Sequence, residues 1–174
     1  MKVDEIIRRC DLGCGTRKKD GFYGIDIDSY EGVDHVQDLR FTPLPFEKKQ
    51  LEHIYASHFF EHLDFHEVVY LLNECYRCLK IGGMLEVIVP HATSYGHLTD
   101  LSHKTAWTED TMGYITPENK YYYSWFYEKD GERHPVINKW KILKNDSTPP
   151  YQYTTLGWTE VKLREVHYLL EKLE

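Results

Sequence analysis

The sequence predicts an α/β protein with a mostly parallel sheet, and three observations support this fold class. A short strand runs into a turn with two glycines, Asp11-Leu12-Gly13-Cys14-Gly15. Up to Pro90, the patterns follow the order strand, turn, strand, strand, strand, helix, strand, which is typical of such sheets. Near the C-terminus, an aromatic segment and an alternating segment favour an antiparallel hairpin. The 174 residues, 41% of them hydrophobic, are enough for one domain with a real core.

The first two strands are predicted at about residues 6–12 and 23–26, with an unusually short link between them. Only residues 13–22 separate them, whereas a parallel crossover usually takes a dozen residues or more. We therefore expect at most one helical turn or an irregular loop, so that the first crossover helix is shortened or absent. Residues 35–37 are predicted as a short third strand and residues 51–57 as the fourth, which alternates and then becomes apolar.

A helix is predicted to follow, from Asp64 or Phe65 to Leu79, because apolar residues recur there at helical spacing. The pair Gly82-Gly83 is expected to end it. Residues 84–90 are rich in β-branched side chains and nearly continuously apolar, which predicts a central, buried strand.

The remaining residues are predicted to form a different kind of structure. Residues 91–110 are polar and predict a long loop, and residues 107–110 carry a capping pattern before a short helix. Residues 121–127 and 138–144 are expected to pair around the turn Asp130-Gly131. The last segment, residues 159–174, fits a helix or a strand followed by a helix, and the sequence does not separate the two.

Composition excludes some classes of function. The net charge of −7 argues against binding of nucleic acid by bulk charge. No apolar run approaches the length of a membrane span, and the N-terminus lacks the apolar core of a signal peptide, so a cytoplasmic protein without membrane contact is expected. The four cysteines are then not expected to form disulfides. A zinc site built on Cys75-x-x-Cys78 is an alternative, disfavoured because this pair falls inside the predicted helix.

The glycine turn and a nearby acid together suggest an adenosine site. Gly13 and Gly15 lack a Cβ, so a ligand can approach their backbone closely. Asp26 ends the second strand, where a carboxylate can accept hydrogen bonds from ribose hydroxyls. Dinucleotide-binding enzymes need a third glycine at a set spacing, and residues 16–18 contain none.

These motifs, taken in order, resemble those of class I S-adenosylmethionine-dependent methyltransferases of the type 11 kind. The resemblance is carried by Asp11-Leu12-Gly13-Cys14-Gly15, Gly24-Ile25-Asp26, Asp38-Leu39, the run Ile54–Leu63 and the run Leu79–Leu85. It implies a Rossmann-like twisted sheet of order 3-2-1-4-5-7-6 that ends in an antiparallel hairpin. It also implies methyl transfer from S-adenosylmethionine, with S-adenosylhomocysteine as product. The short first link makes this chain a compact variant.

The resemblance implies a set of residues around the cofactor. Asp26 would bind ribose, Asp38 the adenine amino group, Leu39 the adenine ring, and the glycine turn the methionine part. The expected cofactor residues are Asp11, Leu12, Gly13, Cys14, Gly15, Asp26, Ile27, Asp38, Leu39, Ser57, His58 and His62. Residues 1–90 would be the cofactor half of a single domain spanning 1–174, and residues 91–174 would supply the substrate loop and the hairpin.

A catalytic base is optional for this chemistry, because the sulfonium methyl is already activated and alignment supplies much of the rate. Candidates are His58, His91 and His103, with His62 beside them, since these histidines fall at or near the expected reaction edge. The acceptor is expected to be a small molecule or a saccharide-like compound. A homo- or hetero-oligomer is also expected, since a partner or the loop at 91–110 would have to cover the cofactor.

Two other functions stay open at this point. The pattern His58-x-x-Glu61-His62 matches an inverted zinc-hydrolase motif, with Glu61 as base. That interpretation needs both histidines on one helix face, whereas His58 falls at a predicted strand end, so no metal ligand is expected. The second alternative is a degenerate methyltransferase fold that acts as a binding module without catalysis.

Overall fold

A computed structural model describes residues 6–116, 126–129, 131–135, 139–147, 151–155 and 158–174. The strands are β1 (Arg9–Leu12), β2 (Tyr23–Asp26), β3 (His35–Val36), β4 (Leu51–Ser57), β5 (Leu79–Pro90), β6 (Phe126–Lys129), β7 (Glu132–Pro135), β8 (Trp140–Ser147), β9 (Tyr151–Thr155), β10 (Trp158–Leu163) and β11 (Glu165–Lys172). The α-helices are α1 (Phe65–Cys78) and α2 (Tyr95–Thr99), and Phe60–His62 and Thr111–Ile115 are 3-10 helices.

Seven strands form one sheet in the order β3-β2-β1-β4-β5-β11-β8. The pairs from β3 to β5 are parallel, whereas β11 runs antiparallel to both β5 and β8. Counting only the strands of this sheet, the order is 3-2-1-4-5-7-6, so the predicted fold class is confirmed. Strands β6 and β7, and likewise β9 and β10, form separate antiparallel pairs.

The predicted partners in the C-terminal hairpin were wrong. β6 pairs with β7, the next strand along the chain, and the two form a small antiparallel hairpin of their own. β8 instead pairs with β11, a partner far away in sequence. Residues 121–125 of the predicted aromatic strand lie outside the described residues. Both alternatives for residues 159–174 included a helix and were wrong, because β10 and β11 cover most of this segment. β11 alternates half-buried and buried residues along its whole length, a period of two that a helix does not have.

Helix α1 begins and ends close to the predicted positions, for identifiable reasons. The Asp64 carboxylate accepts from the Glu67 amide at 2.9 Å, and the Glu67 carboxylate accepts from the Asp64 amide at 2.7 Å. This reciprocal capping box fixes the first turn. The glycine pair does not end the helix as predicted, because β5 begins at Leu79 and contains Gly82-Gly83. The buried Lys172 ammonium donates to the Tyr76 and Leu79 carbonyls at 2.7 and 2.9 Å, and so caps the helix end.

The link between β1 and β2 contains turns and no helix over residues 13–22, as predicted. Asp11 holds it by accepting from the Lys19 amide at 2.7 Å. The Lys19 ammonium then reaches across the sheet to Glu86 at 2.9 Å and lies 3.6 Å from the Tyr55 ring centroid. One long side chain thus covers a sheet face where a crossover helix would otherwise lie.

Because that face has so little cover, β5 is fully buried on one side only. In β5, Leu85, Val87 and Val89 are fully buried, while Met84, Glu86 and Ile88 between them are half-buried. The prediction of a central position for this strand is confirmed, but full burial on both faces was wrong. The buried face packs with α1 into a single core. Within the described residues, no helix is long and apolar enough to cross a membrane.

Candidate functional site

Two adjoining cavities open where β1, β2 and β4 end, at the edge at which parallel sheets bind ligands. We call them together the strand-end cleft. The first, of ≈ 620 Å³, is lined by Asp11, Gly13, Cys14, Gly15, Thr16, Arg17, Tyr30, Tyr55, Ser57 and His58. The second, of ≈ 640 Å³, shares Gly13, Gly15, Tyr30 and His58 with the first and extends to Asp26, Ile27, Asp38, Leu39, Phe59 and His62. Eleven of the twelve predicted cofactor residues therefore line the cleft.

The exception is Leu12, whose side chain is fully buried in the core. It belongs to the same buried face as Cys10, so its position in the motif reflects packing beneath the turn. The prediction that Leu12 lines the cofactor site was wrong for its side chain, because alternate residues of a strand point to opposite faces.

The two glycines of the turn are there for different reasons. Both have positive φ, +64° at Gly13 and +50° at Gly15. A Cβ on Gly13 would lie 2.4 Å from the Phe59 ring, whereas a Cβ on Gly15 would meet nothing within 4 Å. Gly13 is therefore required by packing against Phe59, and Gly15 leaves open space that faces the cleft.

Asp26 joins the end of β2 to the glycine turn. Its carboxylate accepts from the Gly15 amide at 2.8 Å and from the Asp28 amide at 3.1 Å. The residue is almost fully buried, and each carboxylate oxygen has a second lone pair. Asp11 is buried as well, and desolvation raises the pKa of its carboxyl group despite the bond from the Lys19 amide. Two acids are thus fixed at neighbouring strand ends by backbone amides.

Asp38 is more exposed and already paired. The Arg40 guanidinium binds its two oxygens at 2.6 to 3.2 Å, and this hydrogen bonding lowers the pKa of the Asp38 carboxyl group. Leu39 beside it is buried and Ile27 is about half-exposed, and both line the second cavity. These two apolar side chains can cover a flat ring, while any ligand of Asp38 has to share its carboxylate with Arg40.

Several lining residues were not predicted from the sequence. Tyr30 lines both parts of the cleft and donates to Asp28 at 3.1 Å, although it lies in a polar loop without a motif. Ser102 and Lys104 come from the loop after α2 and form part of the wall of the second cavity. The Glu61 carbonyl holds that loop in place by accepting from the Lys104 amide at 2.8 Å. The expectation that residues 91–110 approach the site is the signal that could have pointed to Ser102 and Lys104, whereas no signal pointed to Tyr30.

His58 lines both cavities but is unsuited to act as a base in this structure. It directly follows β4 and has a positive φ of 53°. Its Nε2 lies 3.0 Å from a Glu165 oxygen and its Nδ1 lies 3.4 Å from a Glu61 oxygen. These carboxylates, Glu165 first, raise the pKa of the His58 imidazole to about 9. It is therefore protonated at neutral pH and has no lone pair with which to accept a proton or bind a metal.

His91 is held by its neighbours, away from the cleft. It is buried, its Nδ1 accepts from the Thr93 amide at 3.1 Å, and its Nε2 lies 3.2 Å from Glu109. Both ring nitrogens are thus committed, and His91 lies outside the described lining of these cavities. The structure supports a structural role for His91, in contrast to the catalytic role predicted for it.

A third cavity adjoins the cleft, and three histidines, His58, His62 and His103, line it. This histidine cavity, of ≈ 310 Å³, is lined by Arg17, His58, Glu61, His62, Pro90, Ser94, Gly96, Asp100, His103, Arg164 and Glu165. His62 and His103 are in contact there, with ring centroids 4.9 Å apart. The helix required by the inverted zinc-hydrolase motif is not present, because His58 directly follows a strand and only a 3-10 turn carries Glu61 and His62.

The four cysteines are all buried, and each is a free thiol. Cys75 and Cys78 lie within α1 and pack in the core. Among the described residues, the side chains that lie close enough together to bind one metal ion are Glu61, His62 and His103. This cluster contains no cysteine.

The sheet order, the antiparallel β11 and the cleft at the strand ends define a Rossmann-like fold of the class I methyltransferase type. Residues 10–87 match the family model described as "Methyltransferase domain", which confirms the family resemblance predicted from the sequence. Comparison with curated proteins gave no match.

Several solved structures share the fold at low sequence identity. A SAM-dependent methyltransferase from Archaeoglobus fulgidus is 19% identical, with a TM-score of 0.61 over 95% of this chain and 86% of that one. The YcgJ protein from Bacillus subtilis is 14% identical, with a TM-score of 0.58 over 98% and 94%. A protein in complex with the Trm112 methyltransferase activator of Haloferax volcanii is 15% identical, with a TM-score of 0.57 over 100% and 85%. The shared feature is the fold.

Proposed function

We propose that the chain is an S-adenosylmethionine-dependent methyltransferase that binds its cofactor in the strand-end cleft. The observation that carries this proposal is the bond from the Gly15 amide to the Asp26 carboxylate. It joins the open glycine turn of β1 to a buried acid at the end of β2, and so forms one continuous wall for an adenosine with a charged tail.

The residues present fit such a cofactor. The space at Gly15, where a Cβ would meet nothing within 4 Å, leaves room for a ligand against the backbone. The remaining lone pairs of Asp26 suit the ribose hydroxyls, and Ile27 and Leu39 suit the faces of the adenine ring. The negative charge of Asp11 suits the amino group or the sulfonium of the methionine part. Asp38 would bind the adenine amino group while it keeps its pair with Arg40.

S-adenosylmethionine supplies an activated methyl group, so the protein mainly has to align it with an acceptor. In the transfer, the methyl–sulfur bond breaks as a bond to an acceptor oxygen or nitrogen forms, and the acceptor proton leaves to solvent. Alignment of this kind can supply about 7–11 kcal/mol of the barrier. The chain thus needs no dedicated base, which agrees with the protonated state of His58.

We propose that the acceptor binds in the histidine cavity. Its size, ≈ 310 Å³, is at the small end of ligand pockets, and its lining mixes Arg17 and Arg164 with Asp100 and Glu165. Charged groups of both signs favour a small polar acceptor, such as a saccharide-like compound, over an extended polyanion. His103, which lines this cavity, remains the predicted histidine best placed to contact the acceptor.

Titration calorimetry with S-adenosylhomocysteine and S-adenosylmethionine tests cofactor binding. We expect Asp26→Asn to weaken binding about 10- to 100-fold, because a hydrogen bond to a charged group contributes about 1.5–3 kcal/mol. Asp20→Asn is the matched control, since Asp20 is an exposed acid in the same link and outside the lining of the cleft. Thermal unfolding of each variant checks that it is folded.

Two outcomes would contradict the proposal. If the wild-type protein gives no heat of binding at high micromolar cofactor, the proposal that it binds S-adenosylmethionine is wrong. Equal affinities of the Asp26 and Asp20 variants would show that another acid binds the ribose. Light scattering of the purified protein checks the predicted oligomer, for which the activator complex of one protein of similar fold is the precedent.

A further inference from the structure

Three side chains that could bind a metal meet in the histidine cavity. One ligand atom each from Glu61, His62 and His103 lies within 4.8 Å of the other two. Glu61 and His62 come from the 3-10 helix after β4, and His103 comes from the loop after α2. The Glu61 carbonyl accepts from the Lys104 amide at 2.8 Å and from the Thr105 amide at 3.2 Å. These two backbone bonds bring His103 against the other two side chains.

Glu61 is the most unusual member of this cluster. It is completely buried, yet no donor in the described part of the chain makes a hydrogen bond of normal geometry to either carboxylate oxygen. Its nearest cationic nitrogen, Nδ1 of His58, is 3.4 Å away, longer than the 2.7–2.9 Å that is typical of a charge-assisted bond. A buried carboxylate is costly unless it is paired or coordinates a metal. The His58 imidazolium balances part of its charge from 3.4 Å, and both Glu61 oxygens keep lone pairs that can coordinate a metal ion.

The partners of the two histidines determine which nitrogen of each ring is free. Ser102 donates its hydroxyl proton to Asp100 at 2.6 Å, so at the 3.0 Å contact with His62 it accepts from Nδ1–H. His103 donates its own Nδ1–H to the His97 carbonyl at 3.1 Å. In neutral His62 and His103, Nε2 therefore carries the lone pair. Nε2 of His103 lies 3.7 Å from Asp100, beyond hydrogen-bond range.

We infer that Glu61, His62 and His103 form a binding site for a divalent transition-metal ion, with Zn²⁺ as the best match. Two imidazole nitrogens and one carboxylate suit Zn²⁺ and similar ions, and three protein ligands leave a coordination position open. Ser102 and the His97 carbonyl orient the rings, as outer partners of metal-bound histidines do. The site differs from the inverted zinc-hydrolase motif, because His103 takes the place of His58 and Glu61 is a ligand.

The site faces the cavity proposed for the acceptor. Its open coordination position would be available to an acceptor oxygen, a step that rests on the proposed function, whereas metal binding itself does not. The two can be tested separately, because metal binding is measured without cofactor or acceptor. Failure to bind Zn²⁺ leaves cofactor binding in the strand-end cleft untouched, and failure to bind cofactor leaves the metal site untouched.

The test is a calorimetric titration of chelator-treated protein with ZnCl₂, together with visible absorption after addition of Co²⁺. We expect about one ion per chain, a Co²⁺ spectrum of low coordination number, and a rise in the unfolding temperature on addition of Zn²⁺. His103→Gln and Glu61→Gln should weaken binding at least 100-fold. His35→Gln is the matched control, since His35 lies in β3 at the far edge of the sheet. It should bind like the wild type.

Ser102→Ala gives a second readout if a ligand variant fails to fold. It removes an orienting partner and no ligand, so it should weaken Zn²⁺ binding about 10- to 100-fold and alter the Co²⁺ spectrum. The inference is overturned if the wild-type protein takes up no metal, or if the His103 and His35 variants bind alike. It is also overturned if Glu61→Gln raises the unfolding temperature and leaves Zn²⁺ affinity unchanged, since Glu61 would then be only a destabilising buried acid.

Discussion

Gly13→Ala should destabilise the fold far more than Gly15→Ala, although both glycines belong to one turn. Both substitutions place an alanine at positive φ, which costs about 1–2 kcal/mol. Only the Gly13 variant also forces a Cβ to within 2.4 Å of the Phe59 ring. Relief of such overpacking costs a further 1–3 kcal/mol or so. We therefore expect losses in the free energy of unfolding of about 2–5 kcal/mol for Gly13→Ala and about 1–2 kcal/mol for Gly15→Ala.

Urea unfolding followed by tryptophan fluorescence measures both values, because Trp107 and Trp140 are buried. A double-mutant cycle identifies the cause. In a Phe59→Gly background both the ring and the Phe59 Cβ, which would lie 2.8 Å from the new Cβ, are gone, so the cost of Gly13→Ala should fall to that of Gly15→Ala. Equal losses for the two glycine variants, or a cost that persists without the ring, would show that Phe59 is not what requires a glycine at position 13.

Three further predictions concern other parts of the fold. A hydrogen bond from Ser147, with Arg164 nearby, lowers the pKa of Glu109 from 4.5 to about 2. The resulting stability is full above pH 4.5 and is lost as the pH falls through 2, so Glu109→Gln should cost about 1 kcal/mol at pH 6 and nothing well below pH 2 in denaturant titrations. Asp64→Ala should remove the capping box of α1 and lower the free energy of unfolding by about 1 kcal/mol, whereas Asp64→Ser should largely retain it, as thermal circular dichroism can show. Burial raises the pKa of all four cysteine thiols, that of Cys14 to about 11, so a thiol reagent at pH 8 should react slowly with native protein and rapidly with four thiols after unfolding.

The parts of the fold that sequence predicts well are those set by local interactions. The start of α1 is encoded by Asp64 and Glu67 within one turn. β4 is encoded by the apolar residues that recur within its own seven positions. The pairing of β8 with β11 is not local, since Ser147 meets Val166 and Trp140 meets Lys172 across the intervening β9 and β10. Nothing in residues 140–147 alone indicates which distant strand they join.

The same division holds for the candidate site. The glycine turn and Asp26 follow strand ends, so their position in the cleft follows from the parallel sheet. Tyr30 and Ser102 are brought there by loops whose course depends on the whole fold. His91 and His103 cannot be told apart by their sequence context. In the structure, Thr93 and Glu109 contact both ring nitrogens of His91. His103 uses one ring nitrogen for a bond to a backbone carbonyl and keeps the other available.

The short link between β1 and β2 has a consequence for the order of folding. In the sheet, Cys10 pairs with Tyr23, which is close to it in sequence. Pro90 pairs with Glu165, which is far from it in sequence. Closing a short loop costs less chain entropy, so a low contact order at one end of the sheet favours its early assembly. β11 would then be inserted late, between β5 and β8. Because this strand carries Glu165 against His58 and Lys172 at the end of α1, the histidine cavity would acquire its last wall only when the sheet closes.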